Sequence, residues 1–105
     1  MNTDIERKIA VIFATDVVGY SKHIETDENA TIKNLRACES LLKDLFEKYK
    51  ARLFNTGGDS FFGEFESAVA AVECAVEFQN AIKRRNKTVD ATVKLEFRIG
   101  INVGD

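Results

Sequence analysis

From Val93 to Val103 every second residue is apolar. Val93, Leu95, Phe97, Ile99, Ile101 and Val103 alternate with Lys94, Glu96, Arg98, Gly100 and Asn102. A period of two is the pleat of a β-strand with one face on a core and the other left open. The chain therefore has to build a sheet that is covered on one side, and the rest of the sequence has to supply the cover.

The preceding segments do so in a fixed order. Residues 9–14 (IAVIFA) form a continuous apolar run stopped by Thr15-Asp16, which predicts a strand buried on both faces. Ile32, Leu35, Cys38, Leu42, Leu45, Phe46 and Tyr49 then recur at helical spacing, from the acidic Asp27-Glu28 to about Lys50. Two short β-like segments, Arg52 to Asn55 and Ser60 to Phe65, flank Thr56-Gly57-Gly58-Asp59, a hairpin signal. Ser67 is placed to cap a second helix marked by Ala68, Val69, Val72, Ala75, Val76 and Ile82, with the cationic tail Lys83-Arg84-Arg85 suited to its C-terminus. The order β-α-β-β-α-β predicts an α+β fold of ferredoxin-like type, a four-stranded antiparallel sheet with two helices on one face. Arg98 and Asn102 would lie on the open face, available to solvent, a ligand or another subunit.

Residues 1–105 have the length of one small domain. A formal net charge of −2 gives no electrostatic footprint for nucleic acid. No apolar run reaches the roughly 20 residues that span a bilayer, and Met1-Asn2-Thr3-Asp4 lacks the start of a signal peptide. With two cysteines, Cys38 and Cys74, on apolar helix stripes, the expectation is a reducing, cytoplasmic setting without membrane contact.

Asp16 closes the first strand and Asp59 sits in the hairpin turn. In this topology the first and third strands are central neighbours, so both carboxylates would reach one sheet edge. Carboxylate oxygens there suit Mg²⁺ or Mn²⁺, which bind beside substrate phosphates. Against this stands the ordinary use of aspartate at strand ends and turns. Between Asp16 and Ser21 the chain makes a polar bend in which Gly19 permits close backbone approach; its N–H groups can cradle phosphate, or simply join strand to helix.

Residues 9–21 (IAVIFATDVVGYS) resemble the first metal-binding motif of class III adenylate and guanylate cyclases. Residues 55–65 (NTGGDSFFGEF) are similar to the second, and residues 97–104 (FRIGINVG) to the strand after the second helix. The resemblance implies a nucleotidyl cyclase domain, converting a nucleoside triphosphate (ATP ahead of GTP) to a 3′,5′-cyclic nucleotide and pyrophosphate for intracellular signalling. It implies two metal ions, Mg²⁺ or Mn²⁺, on Asp16, Asp59 and the Val17 carbonyl. Val18, Gly19, Tyr20 and Ser21 would contact the triphosphate, with Asn55 and Gly58 also at the nucleotide. A homodimer is implied too, since the family builds each site across two subunits. Asn55 stands where adenylate cyclases carry a base-selecting lysine, four positions before the second aspartate. The family's transition-state asparagine and arginine belong to a segment beyond position 105. No catalytic residue other than the metal ligands is thus expected within this incomplete domain, and the 105-residue piece alone is expected to be inactive.

Two other readings compete. One is a non-catalytic nucleotide-binding or dimerisation module derived from a cyclase. The other is a GGDEF-type diguanylate cyclase, since Gly57-Gly58-Asp59-Ser60-Phe61 is similar to that signature, with Ser60 in place of glutamate. Elsewhere the simplest readings hold: His23 as a solvated loop residue, residues 83–87 as a solvated helix end, and Phe46, Phe54, Phe61, Phe62, Phe65 and Phe97 as core or dimer-face packing.

Overall fold

The computed structural model describes residues 10–55, 58–88 and 93–104. These form β1 (Ala10–Val17), α1 (Tyr20–Thr26), α2 (Glu28–Lys48), β2 (Arg52–Asn55), β3 (Phe61–Phe65), α3 (Ala68–Thr88) and β4 (Phe97–Gly104). The sheet order is β2-β3-β1-β4 with every neighbour antiparallel, the predicted ferredoxin-like arrangement.

Register sorts the side chains into two faces. Leu53, Gly63, Phe13 and Ile101 share a row on the helix-covered face, as do Phe61, Thr15 and Ile99. Phe13, Phe46, Phe61, Phe65 and Phe78 are the largest fully buried side chains. Burying each of them contributes about 1.5–3 kcal/mol relative to exposure. Phe13, Phe46 and Phe65 meet with ring centroids 5.1–5.7 Å apart, two of the three pairs edge-on, as ring quadrupoles prefer. Only hydrogen fits at Gly63, because a Cβ there would run into the Phe46 ring.

Several expectations are corrected. The first strand is covered on one face, not both: Val11, Phe13, Thr15 and Val17 are buried while Ile12 is 37% exposed. Among the described residues its far side carries no second layer, and the apolar run alone could not reveal that. Asp16 lies inside β1 rather than after it. The last strand starts at Phe97; residues 93–96 are irregular, although Val93 and Leu95 are buried.

An extra helix, α1, occupies the polar stretch and packs on α2, so the described residues hold three helices and His23 is helical rather than in a loop. It buries no residue and therefore left no periodic trace. Thr31 ties it down, its hydroxyl donating to the carbonyls of His23 (2.9 Å) and Asp27 (2.8 Å). On α3 the buried face is Ala71, Cys74, Phe78 and Ile82, while Val69, Val72 and Val76 are exposed. Ser67 does cap that helix, its hydroxyl accepting from the Ala70 N–H at 3.2 Å. The cationic end of α3 is not merely solvated. Arg85 donates to Asn34 Oδ1 (3.0 Å) and the Asn86 amide to the Leu95 carbonyl (2.9 Å), which fastens α3 to the approach to β4.

Candidate metal and nucleotide site

Where β3 begins, β1 has already run past it. The last β1–β3 pair is Thr15 with Phe61, so the N–H of Val17 faces the β3 side with no strand opposite. Val17 is 2% exposed, and a buried N–H without a partner is costly. Asp59, two residues before β3, supplies the acceptor: its Oδ2 takes the Val17 N–H at 3.1 Å. On the other edge Val17 pairs with Phe97, and the Val18 N–H donates to the Glu96 carbonyl at 2.8 Å. The carboxylate of Asp59 is thereby pinned against the peptide that follows Asp16.

Asp16 lies opposite Arg98 in the β1–β4 ladder. Arg98 Nε donates to Asp16 Oδ1 at 3.0 Å and Nη2 to Oδ2 at 3.2 Å, a two-pronged pair. The Thr15 hydroxyl donates to the Arg98 carbonyl at 2.7 Å and fixes the strand beneath it. Asp16 holds the guanidinium proton more firmly than usual through these bonds and its charge, and the Asp59 carboxylate adds to the effect. Both carboxylates therefore act on one cation, consistent with their convergence.

Beside them lies an open cavity of about 360 Å³ lined by Ala14, Thr15, Asp16, Ser60, Phe62, Arg98, Ile99 and Gly100. Ala14, Phe62 and Gly100 belong to one open-face row, so an apolar floor adjoins a charged rim. After β1 the chain turns at Gly19, whose φ of 65° and ψ of 37° are left-handed, the conformation glycine adopts without strain. Tyr20 and Ser21 then open α1, and the first N–H groups of any helix lack intrahelical acceptors.

Among the expected site residues, Asp16, Val17, Asp59 and the Val18–Ser21 bend gather at one end of β1. Gly58 precedes Asp59 and is exposed. Asn55 ends β2 in register with Phe61; its side chain, like Thr56 and Gly57, lies outside the described residues. Arg98 lines the cavity, whereas Asn102 sits four residues along in the row with Ile12 and does not. The Arg98–Asp16 pair, Ser60 and Phe62 were not legible beforehand, because they depend on strand register.

Among the described residues no group of three or more His, Cys, Asp and Glu side chains clusters to hold a metal ion. The carboxylates of Asp16 and Asp59 with the Val17 carbonyl would offer only oxygen donors, which suit a hard divalent cation completed by water or substrate oxygens. Cys38 and Cys74 offer no competing chemistry. Both are buried, and burial pushes their thiols up, Cys74 to about 11. No helix among the described residues is long and apolar enough to cross a membrane.

The sequence and the fold are similar to those of known proteins. Residues 2–105 match the family described as adenylate and guanylate cyclase catalytic domain. The chain is 39% identical over 102 residues to "Putative adenylate cyclase 3" of Rhizobium meliloti (strain 1021), covering 96% of this chain and 17% of that protein. It superposes on an adenylate/guanylate cyclase/hydrolase from Silicibacter pomeroyi with a TM-score of 0.80 and 30% identity, spanning 94% of this chain and 58% of that one. The guanylyl cyclase Cya2 gives a TM-score of 0.80 at 25% identity, over 94% of this chain and 55% of that one. The chain belongs to the adenylate and guanylate cyclase catalytic domain family, an enzyme family, rather than to the diguanylate cyclases. It spans only part of the length of each of these relatives.

Proposed function

We propose that this chain supplies the metal-holding and phosphate-facing part of a class III nucleotidyl cyclase site, acting on a nucleoside triphosphate to give a 3′,5′-cyclic nucleotide and pyrophosphate. The observation that carries the reading is the 3.1 Å bond from the Val17 N–H to Asp59 Oδ2, which holds the Asp59 carboxylate against the peptide that follows Asp16. Asp16, Asp59 and the Val17 carbonyl would hold two Mg²⁺ or Mn²⁺ ions. When bound, such ions neutralise phosphate charge and favour the attacking oxygen in an in-line displacement. The chain's own contribution is placement. Gly19 turns the backbone so that the bend over Val18, Gly19, Tyr20 and Ser21 can meet phosphate oxygens with the N–H groups of Gly19, Tyr20 and Ser21, the Val18 N–H being held by the Glu96 carbonyl. The floor of Ala14, Phe62 and Gly100 suits an apolar ligand surface beside that charged end. Asn55 and Gly58, at the β2–β3 turn, are assigned to nucleotide contact on resemblance alone. Asn55 brings donor and acceptor groups but no charge, and ATP is placed ahead of GTP by likeness to the putative adenylate cyclase of Rhizobium meliloti.

The 105-residue chain is read as one incomplete catalytic domain, inactive by itself, since charge stabilisation in the transition state is the larger part of such catalysis. Its working form is read as a homodimer in the cytoplasm, serving cyclic-nucleotide signalling. A dimerisation module without catalysis is the second reading, favoured by the exposed apolar side chains Ile12, Phe54 and Phe62 on the open face. The test is calorimetric binding of Mn²⁺–ATP and Mn²⁺–GTP to Asp16→Asn and Asp59→Asn variants, which keep a hydrogen-bonding side chain in place. Loss of metal-dependent binding in both supports the site; unchanged affinity in both sinks it.

A further inference from the structure

Arg98 stands where the proposed metal site needs open carboxylate oxygens. Its guanidinium contacts both oxygens of Asp16, at 3.0 and 3.2 Å, and Asp59 draws on the same charge. A carboxylate gripped by such a fork offers a dication a poorer ligand, because the in-plane lone pairs are taken and a positive charge sits alongside. The backbone under Arg98 is fixed, by the ladder to Asp16 and by the Thr15 hydroxyl on its carbonyl. Its side chain is not: it is 69% exposed on a face with no second layer, and it lines the cavity. The fork can therefore leave Asp16 by rotation about its own side-chain bonds, without moving a strand.

We propose that Arg98 is the resident counter-cation of the metal-free site, holding Asp16 until a divalent ion displaces it, and so setting the affinity for the first ion. This rests on the reading of Asp16 as a metal ligand. The exchange has a direct consequence for the cavity. Before displacement the guanidinium is neutralised by Asp16; afterwards it is a free, planar donor at the cavity rim. Metal entry thus converts a self-satisfied ion pair into one bound dication and one released cation, so the site becomes attractive to an anion only once the metal is in. Arg98 is a positioning residue in this scheme, acting through Asp16.

The sign of the effect separates this role from a structural one. A residue that merely supports the site weakens metal binding when it is removed, whereas a competitor strengthens it. If the fork occupies Asp16 in most molecules, removing it tightens apparent affinity about three- to tenfold, since only the unoccupied fraction is competent. The experiment is Mn²⁺ binding to the full chain without nucleotide, followed by the electron paramagnetic resonance of free Mn²⁺ at fixed ionic strength. Wild type, Arg98→Gln, Arg98→Lys and Asp16→Asn are compared, with thermal unfolding of each as the folding control. R98Q is expected to bind about three- to tenfold more tightly than wild type. R98K should fall between them, because an ammonium cannot fork onto both oxygens. D16N should lose the site. Equal or weaker binding by both Arg98 variants, with wild type still binding, overturns the role of Arg98 and leaves the metal site standing. No binding by wild type or by R98Q overturns both, because Asp16 is then no metal ligand.

Discussion

At Asp59 one side chain serves the fold and the proposed chemistry at once, and the two uses can be separated. Its Oδ2 completes the hydrogen bonding of the buried Val17 N–H where β3 does not reach. Asparagine retains an oxygen that can accept that bond but lacks the charge a dication needs. Alanine removes both. Asp59→Ala is therefore expected to lose about 1–3 kcal/mol of stability, the cost of a buried donor left without a partner. Asp59→Asn should lose much less, while both lose Mn²⁺ binding. Urea unfolding of the two variants reads the difference, and equal midpoints would show that the Val17 N–H does not depend on this carboxylate. The nearness of Asp16 and Asp59 was legible in the sequence because one ends a strongly apolar run and the other follows a glycine pair between β-like segments, two signals that need no register. Arg98 was visible only as a residue on the open face. Its pairing with Asp16 depends on a β1–β4 alignment that alternation alone leaves free by steps of two.

Among the elements, those with one apolar face against the core were readable and those without were not. The buried apolar positions of α2, Leu35, Cys38, Leu42 and Phe46, fall within the predicted stripe, whereas buried Thr31 and Glu39 do not. α3 is rich in small apolar residues all round. Of the residues that mark it as a helix, Val69, Val72 and Val76 are exposed, and Phe78, packed on Phe97 with centroids 5.1 Å apart, lies on the buried face. What holds α3 to α2 is partly polar. Glu77 Oε1 accepts from Lys48 Nζ and from the Tyr49 hydroxyl, each at 2.7 Å. The bonds from Lys48 and then Tyr49 hold the Glu77 carboxyl below its ordinary value of 4.5, and the bond to Glu77 pushes the Tyr49 phenol up to about 12. A depressed carboxyl contributes stability that is complete above its unfolded value and is lost as pH falls through the folded one. Part of the acid destabilisation below about pH 4.5 is thus assigned to Glu77. Glu77→Gln is expected to be less stable than wild type at neutral pH and to show a shallower loss on acidification. Denaturant midpoints measured from pH 7 down to pH 3 check this, and parallel curves for the two proteins would remove Glu77 from the account.

For the molecule as a whole, the open sheet face is the feature that single-chain packing leaves unexplained. One row across it, Phe54, Phe62, Ala14 and Gly100, is apolar, and the next places Ile12 between Glu64 and Asn102. Phe54, Phe62 and Ile12 remain 44%, 37% and 37% exposed. Contiguous exposed apolar side chains rimmed by polar ones mark a surface that another molecule covers. The same face carries the Asp16–Arg98 pair and the cavity, so a second copy seated there would close over the proposed site and exclude water from it. Ile12 is absent from the buried core cluster, so its replacement tests association with little effect on the fold. Wild type is expected to sediment as a dimer in a concentration-dependent way. Ile12→Lys, which puts a charge on the face next to Glu64, should shift the chain to monomer while its unfolding midpoint per chain at high dilution stays within about 0.5 kcal/mol of wild type. If the variant keeps the wild-type sedimentation profile, the homodimer does not use this face. If it unfolds at markedly lower denaturant even when both proteins are monomeric, Ile12 belongs to the core and the face is less open than the sheet register indicates.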